Sequence, residues 1–428
     1  MSQDYRAPKG TADMLGDTAR AWEYVLRTAQ DLFARYGYEP LYTPVFEHTD
    51  VFVRGIGEAT DIVGKEMYTF LDKGNPPRSL TLRPEGTASI VRSALEHNLT
   101  ANGQGAKIYY AGPMFRYERP QKGRMRQFWQ IGAEALNMPD PSVDAEVIVM
   151  LWRFFEALGI PADSMRLLVN SMGDEHCRPA YRERVASYIR EHSAALCEEC
   201  HRRADTNPLR AFDCKNPGCV EAMAGAPLLR DELCGDCAEH YAAVKLALDD
   251  LGIPYVEEPK LVRGLDYYTR TVFEIQVDVG LGSQNAIGGG GRYDRLMEEY
   301  GGKPTPGLGF ALGFERTLLA MNALGARVPA PARAEVYVAS VDDGVRTTAF
   351  TLAALLRDAG VAAECDHQGR SLKSQFKHAD RLDARFVLVV GPDELAGGQV
   401  TLRDMGTKEE TRIDLANAPE TVRRSLGG

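Results

Sequence analysis

Between Leu261 and Glu274 the chain reads LVRGLDYYTRTVFE. This places Arg263, Asp266, Tyr267 and Tyr268 at the mouth of a run continued by Val272, Phe273, Ile275 and Val277. The apolar β-formers predict a buried strand with polar groups at its entrance. A core strand gains nothing from a guanidinium, a carboxylate and two phenols there. The alternatives are a salt-bridged strand end and one wall of a pocket for a small polar molecule. A second concentration runs from Phe115 to Glu134, FRYERPQKGRMRQFWQIGAE. Its loop sets Arg116, Arg119, Lys122, Arg124 and Arg126 against Glu118, a charge excess suited to a polyphosphate or a nucleic-acid end. Past the loop, strand periodicity puts Phe128, Gln130, Gly132 and Glu134 on one face and Trp129 and Ile131 on the other. One face thus offers a stacking ring, an amide and a carboxylate.

Three shorter motifs accompany these. In TLRPEGT, Thr81 to Thr87, Pro84 and Gly86 make a tight turn presenting Glu85 and Thr87, although a carboxylate on a turn is commonly just solvated. Gly288 to Gly291, before Arg292, Tyr293 and Asp294, permit close approach of backbone to a ligand, or a bulged hairpin. GLGFALGFER, Gly307 to Arg316, reads as a small-residue strand entering a helix near Glu315 and Arg316, where an arginine favours a phosphate. No G-x-x-x-x-G-K-[ST] loop occurs, so a nucleotide would have to be held by arginines. The lack of a G-x-G-x-x-G turn after an early strand argues against hydride transfer.

Six of the eight cysteines fall between Cys197 and Cys237. The pairs Cys197/Cys200 and Cys234/Cys237 have the C-x-x-C spacing with which thiolates share a tetrahedral Zn²⁺, and they bracket Cys214 and Cys219. The gap between the pairs is long for a zinc ribbon. Reduced thiols packed in a small helical module are the other reading.

Elements must bring these segments together, and a chain of 428 residues has room for two or three domains, each with its own core. Ala19 to Tyr36 has helical apolar spacing and breaks at Gly37. Lys107 to Tyr110 and Arg126 to Ile131 predict strands of an antiparallel sheet, and Asp144 to Leu158 an amphipathic helix. From about Ser171 to Leu251 the sequence becomes helical and cysteine-rich before sheet character returns, the pattern of an insertion. After a Pro/Ala-rich stretch, GARVPAP, strand Val336 to Ser340, helices Val345 to Ala359 and Ser371 to Leu382, strand Phe386 to Val390 and a strand near Val400 predict a separate α/β domain. The expected division is 1–325 interrupted by 171–255, a linker over 326–331, and 332–428. A net charge of −10 argues against a general nucleic-acid coat, though a local basic patch can still hold a phosphate backbone. No apolar run approaches the length of a membrane span, and the polar start MSQDYRAPKG lacks a signal-peptide core, so cytoplasmic residence is expected.

The F-R-x-E run with its arginine loop and the G-F-A-x-G-x-E-R segment resemble motifs 2 and 3 of class II aminoacyl-tRNA synthetases. LVRGLDYYTRTVFE and GGGGRYD resemble the two histidine signatures of the histidyl-tRNA synthetase family. The resemblance spans essentially the whole chain, and the H-I-G-H and K-M-S-K-S signatures of class I enzymes are absent. It implies an α+β fold: a catalytic domain with an antiparallel sheet flanked by helices, a helical insertion, and a C-terminal α/β domain like those that bind anticodons. It also implies that Arg116 contacts the α-phosphate of ATP, that Arg124 and Arg316 contact the outer phosphates, and that Phe128 stacks on adenine. Mg²⁺ would accompany ATP. Glu85, Gln130 and Thr87, with Gly86 in their turn, would hold the α-ammonium of L-histidine. Glu134 and Tyr268 would bond its imidazole with Tyr267 beside it, and Arg263 would lie against the α-phosphate. Pro44, at the position of motif 1, implies a homodimer. Trp129 departs from the histidine usual in relatives, but strand parity turns it away from the binding face. Arg370, Lys373, Lys377 and Arg381 recur at helical spacing, a plausible tRNA-backbone surface in this context, where tRNA(His) is the implied partner.

Two other readings share this fold. A regulatory subunit of ATP phosphoribosyltransferase would commonly lack the last domain and the phosphate arginines. A non-catalytic tRNA-binding sensor would also have lost ATP-contacting groups. The presence of Arg116, Arg124, Arg263 and Arg316 argues against both.

Overall fold

In the computed structural model, residues 5–57, 60–262, 264–278, 285–329 and 334–427 are described. Residues 1–328 and 329–428 form two compact units.

The first unit opens with helix α1 (Gly16–Arg35), whose face of Trp22, Val25, Ala29, Leu32 and Phe33 is buried, and strand β1 (Glu39–Pro40). A small antiparallel sheet follows, from β2 (Phe46–His48), helix α2 (Thr49–Ile56), β3 (Tyr68–Leu71) and β4 (Ser79–Leu82). Helix α3 (Thr87–Glu96) leads to the long hairpin β5 (Ala106–Phe115) and β6 (Gln127–Leu136), then helix α4 (Pro141–Ala157) and β7 (Met165–Ser171). Pro141 at the start of α4 forfeits no hydrogen bond there, and Asp140 accepts the Ser142 N–H, so the helix start is capped.

Helices α5 (Arg178–Glu191), α6 (Glu198–Thr206) and α7 (Pro217–Ala222) make the inserted helical region, and α8 (Gly235–Asp250) returns Tyr241, Val244 and Leu248 to the core of the large sheet. The chain returns through β8 (Val256–Glu257), β9 (Thr269–Val277), β10 (Ala286–Arg292), helix α9 (Leu296–Glu299), β11 (Gly307–Gly313) and helix α10 (Phe314–Ala323).

The large sheet has the order β1-β5-β6-β11-β10-β9-β7-β8. Its inner pairs are antiparallel and only the outermost pairs, β1 with β5 and β7 with β8, are parallel. One face packs on α1, α4 and α8 through Phe33, Ile131, Ala133, Trp152, Phe154 and Phe273. Trp129 joins that side, its ring 4.7 Å from Trp22, so the alternate residues of β6 face the other way.

The stretch from Leu261 to Tyr268 departs from the strand expected there. The strand begins only at Thr269, and the preceding described residues form a loop. The reason lies in the insertion, on which the loop satisfies its backbone, with Arg210 Nη2 on Gly264 O at 3.2 Å and Arg178 Nη1 on Tyr268 O at 2.6 Å.

In the second unit β12 (Val336–Ser340), helix α11 (Arg346–Asp358), β13 (Ala363–Cys365), helix α12 (Leu372–Arg381), β14 (Phe386–Val390), helix α13 (Pro392–Ala396), β15 (Gln399–Asp404), β16 (Glu410–Asp414) and helix α14 (Ala418–Leu426) follow in turn. The sheet order is β13-β12-β14-β15-β16. Lys373, Lys377 and Arg381 are exposed on α12. Arg370 lies before that helix, with its guanidinium on Asp366 at 3.2 Å and Gln368 at 2.7 Å, so it does not extend the basic face.

Candidate active site

The sheet face opposite α1 and α4 carries a cavity of about 260 Å³. Among the residues singled out in the sequence, Glu85, Thr87, Arg116, Arg124, Phe128, Gln130, Glu134, Tyr267, Tyr268 and Arg316 all line it. Segments separated by more than two hundred residues thus converge. The agent is strand order: β11 hydrogen-bonds to β6 with Gly309 opposite Glu134 and Gly313 opposite Gln130.

Glu134 is buried at the end of the cavity. Its Oε1 accepts the Thr87 hydroxyl at 2.7 Å and its Oε2 accepts the Tyr293 hydroxyl at 2.5 Å. Burial pushes its carboxyl up to about 8, opposed by these two bonds and reinforced by the charge of Glu85. The opposite strand must be bare here, because a Cβ on Gly309 would stand 1.7 Å from Glu134 Oε2.

Glu85 accepts the backbone N–H groups of Thr87 at 2.7 Å and Ala88 at 2.8 Å, so its two oxygens cap α3. Burial raises its pKa and these bonds pull it back. Nearby, Gln130 Oε1 is buried and has no hydrogen-bond partner among the described residues. A buried acceptor without a donor is costly, so this corner favours a cationic donor. Tyr267 lies against Tyr268 with ring centroids 4.7 Å apart and meets Tyr293 edge-on at 5.6 Å.

The other end is basic. Arg116 donates to Pro84 O at 2.8 Å, and its guanidinium sits 5.3 Å from the Phe128 ring centroid. Arg124 pairs with Glu118 at 2.9 Å, and Arg316 donates to Gly123 O at 3.3 Å and Ala286 O at 3.2 Å. The pKa of Arg316 is lowered, first by burial and then by the charge of Arg124, with Arg116 adding to it. Such crowded guanidiniums are relieved by a polyanion.

Gly86 is not on the cavity wall. Its Cβ would meet Tyr110 Cε2 at 2.2 Å and that of Gly132 would meet Tyr110 Cζ at 2.3 Å, so the two glycines seat the Tyr110 ring behind the pocket. Arg263 lies outside the described residues. Sequence reasoning missed Tyr293 and Glu315 as site residues. Within GGGGRYD the glycines carry the local signal, and the partner of the Tyr293 phenol lies 159 residues away on β6. Glu315 accepts the Trp129 N–H at 3.1 Å, and burial raises its carboxyl to about 7.

The cysteines correct one expectation. The two C-x-x-C pairs do not share a site: Cys197 and Cys200 cluster with Cys214 and Cys219, whereas Cys234 and Cys237 cluster with Asp174 and Cys177. Each pair opens a different helix, α6 or α8, and the fold carries the helices apart.

Residues 10–317 match the sequence profile of histidyl-tRNA synthetases, and residues 335–425 match an anticodon-binding domain. The chain belongs to the histidyl-tRNA synthetase family. A histidine--tRNA ligase of Halothermothrix orenii is 47% identical over 421 residues, covering 98% of this chain and 99% of the relative. The same-named protein of Moorella thermoacetica is 49% identical over 408 residues, 95% of each chain. The apo histidyl-tRNA synthetase of S. aureus superposes with a TM-score of 0.83 at 38% identity, covering 98% of this chain and 99% of that one. As a member of this family the chain is a class II aminoacyl-tRNA synthetase with α+β architecture and an anticodon-binding domain. A Bacillus halodurans chain described as an ATP phosphoribosyltransferase regulatory subunit/histidyl-tRNA synthetase shares the fold alone, at 19% identity and a TM-score of 0.65. The full-length synthetase relatives do not favour the regulatory reading.

Proposed function

We propose that the cavity joins L-histidine to ATP, forming histidyl-adenylate and pyrophosphate, and that the adenylate then acylates the 3′ end of tRNA(His). The observation that carries this reading is the grip on Glu134. A buried carboxylate held at both oxygens by Thr87 and Tyr293 is fixed in direction, at one end of a cavity whose other end is lined by Arg116, Arg124 and Arg316. Glu134 accepts an imidazole N–H, and the Tyr268 hydroxyl serves the other ring nitrogen. Two such buried partners discriminate by about 10⁴-fold against an apolar isostere that leaves them unpaired. Glu85, Thr87 and the unmatched Gln130 Oε1 receive the α-ammonium.

At the basic end Phe128 stacks on adenine, Arg116 meets the α-phosphate, and Arg124 and Arg316 take the outer phosphates. Arg263 is assigned to the α-phosphate by its place in the sequence. The ionised substrate carboxylate attacks the α-phosphorus in line, pyrophosphate departs, and no general base is required. Catalysis is positioning and charge neutralisation. Glu274 and Glu315 on the cavity wall are hard oxygen donors that would hold Mg²⁺, which would supply further neutralisation of the outer phosphates. Lys373, Lys377 and Arg381 contact the tRNA backbone, and the working form is a cytoplasmic homodimer.

The test is ATP–pyrophosphate exchange followed by aminoacylation of tRNA(His) with purified protein. Exchange should require histidine, and Arg263→Ala should slow it strongly while histidine affinity falls less. Equal exchange with another amino acid would overturn the assignment.

A further inference from the structure

We infer that the inserted helical region holds two zinc ions, one on Cys197, Cys200, Cys214 and Cys219, the other on Asp174, Cys177, Cys234 and Cys237. In each group the four candidate ligand atoms lie within 4.8 Å of one another. Tetrahedral Zn²⁺ with Zn–S bonds of about 2.3 Å sets its sulfurs about 3.8 Å apart. Cys197 Sγ and Cys214 Sγ stand 3.9 Å apart, close to that edge and far beyond the ~2.05 Å of a disulfide. In the second group Asp174 Oδ1 is 3.6 Å from both Cys177 Sγ and Cys234 Sγ, near the ~3.5 Å edge that Zn–O and Zn–S bonds imply.

Both groups are also built for thiolates. Cys197 and Cys234 occupy the N-caps of α6 and α8, and Cys200 and Cys237 lie in the first turns, where the helix dipole stabilises negative sulfur. The Cys197 N–H donates to Cys219 Sγ at 3.2 Å, and the Asp174 N–H to Cys177 Sγ at 3.4 Å. Cys177, Cys200, Cys219 and Cys237 are buried and none of the cysteines is in a disulfide. Four sulfur or carboxylate groups converging at half-buried and buried positions repel one another as anions unless protons or a cation intervene, and a divalent ion satisfies all four at once.

The first centre has a consequence for the pocket. Its ligands bracket the segment from α6 to α7, which includes Asn207 and Arg210. Asn207 Nδ2 donates to Asp266 Oδ1 at 2.7 Å, and Arg210 reaches Gly264 O at 3.2 Å. These bonds hold the loop that carries Leu265, Tyr267 and Tyr268 into the cavity. The ion therefore acts as a positioning element for the histidine end, a statement that rests on the synthetase reading, whereas the presence of zinc does not.

Metal analysis of the untagged full-length protein after gel filtration should find two zinc ions per chain. Zinc K-edge absorption should report a sulfur-dominated shell with a minority oxygen contribution. Cys214→Ser should remove one ion and Cys237→Ser the other, and Co²⁺ exchanged into the wild type should give intense tetrahedral thiolate bands. Should the variants misfold, the wild-type zinc count and absorption shell still decide. A chain without zinc, stable and unchanged by chelator, overturns the proposal. A single ion retained in Cys237→Ser and lost in Cys214→Ser overturns the second centre. Removal of the first ion should raise KM for histidine in the exchange reaction several-fold more than KM for ATP, and an equal rise in both overturns the positioning role.

Discussion

Tyr293 donates its hydroxyl to Glu134 at 2.5 Å across a distance of more than a hundred residues in sequence, and both side chains are buried. The phenol therefore fixes the direction of the carboxylate before any substrate arrives.

A pH dependence follows. Unfolded, Glu134 ionises near its ordinary 4.5, but in the fold burial moves it to about 8. Between those values the native state holds a proton that the unfolded state has released, so stability falls as pH rises through this window. Thermal unfolding of the ligand-free protein should show that slope, and Glu134→Gln, which has no proton to lose, should be less steep. Identical slopes would mean that the carboxyl titrates normally.

For histidine, Glu134→Ala should weaken binding chiefly at the imidazole, by roughly 0.5–1.5 kcal/mol for one hydrogen bond to a carboxyl that is protonated in the empty cavity, seen by calorimetric titration. Unchanged affinity removes the residue from the pocket.

Gly309→Ala tests the same carboxylate from the opposite strand. The new Cβ would stand 1.7 Å from Glu134 Oε2 and 2.5 Å from the Ala133 backbone O, so the carboxylate must turn and β11 must shift against β6. Histidine affinity should drop at least as far as in Glu134→Ala, while circular dichroism retains the folded spectrum. Retained affinity would show that the carboxylate keeps its place at the imidazole despite the displaced strand.

At the basic end, Arg124→Ala should raise KM for ATP by about 10- to 100-fold, the loss of one charge-assisted contact. KM for histidine should hardly change, because Arg124 contacts Glu118 rather than the Glu134 end. Parallel rises in both constants would instead point to collapse of the loop.

Stability away from the cavity depends on Asp144, which is fully buried between Arg292 and His240, with Arg292 Nε at 3.2 Å and His240 Nε2 at 3.0 Å. Arg292→Met leaves that carboxylate without its main countercharge and should cost about 3–5 kcal/mol in urea unfolding. A loss below about 1 kcal/mol would mean that His240 alone suffices.

The site was legible where one strand or turn displays its own chemistry. The alternation Phe128, Gln130, Glu134 survives intact because β6 is a regular strand, and Glu85 and Thr87 could be read from a turn that also starts a helix. Partnerships across the sheet were not legible. Nothing local to GGGGRYD shows that Tyr293 will meet Glu134, and the C-x-x-C spacing is silent about whether Cys219 or Cys234 will complete its cluster. The loop at Leu265 to Tyr268 was misread as strand because its β-forming residues outvote a polar mouth, while the contacts that decide its shape come from Asn207, Arg210 and Arg178 on the insertion. In the last unit β16 was missed because its exposed, charged residues carry no apolar alternation.

Strand order also bears on how the molecule is made. β6 leaves the ribosome early, but its second neighbour, β11, is translated some 170 residues later, after the whole helical insertion. Through that interval β6 presents one unpaired edge, an invitation to foreign strands. Chaperone demand during synthesis should therefore peak before Gly307 emerges, and a nascent chain arrested short of β11 should aggregate although its first hairpin, β5 with β6, is already complete.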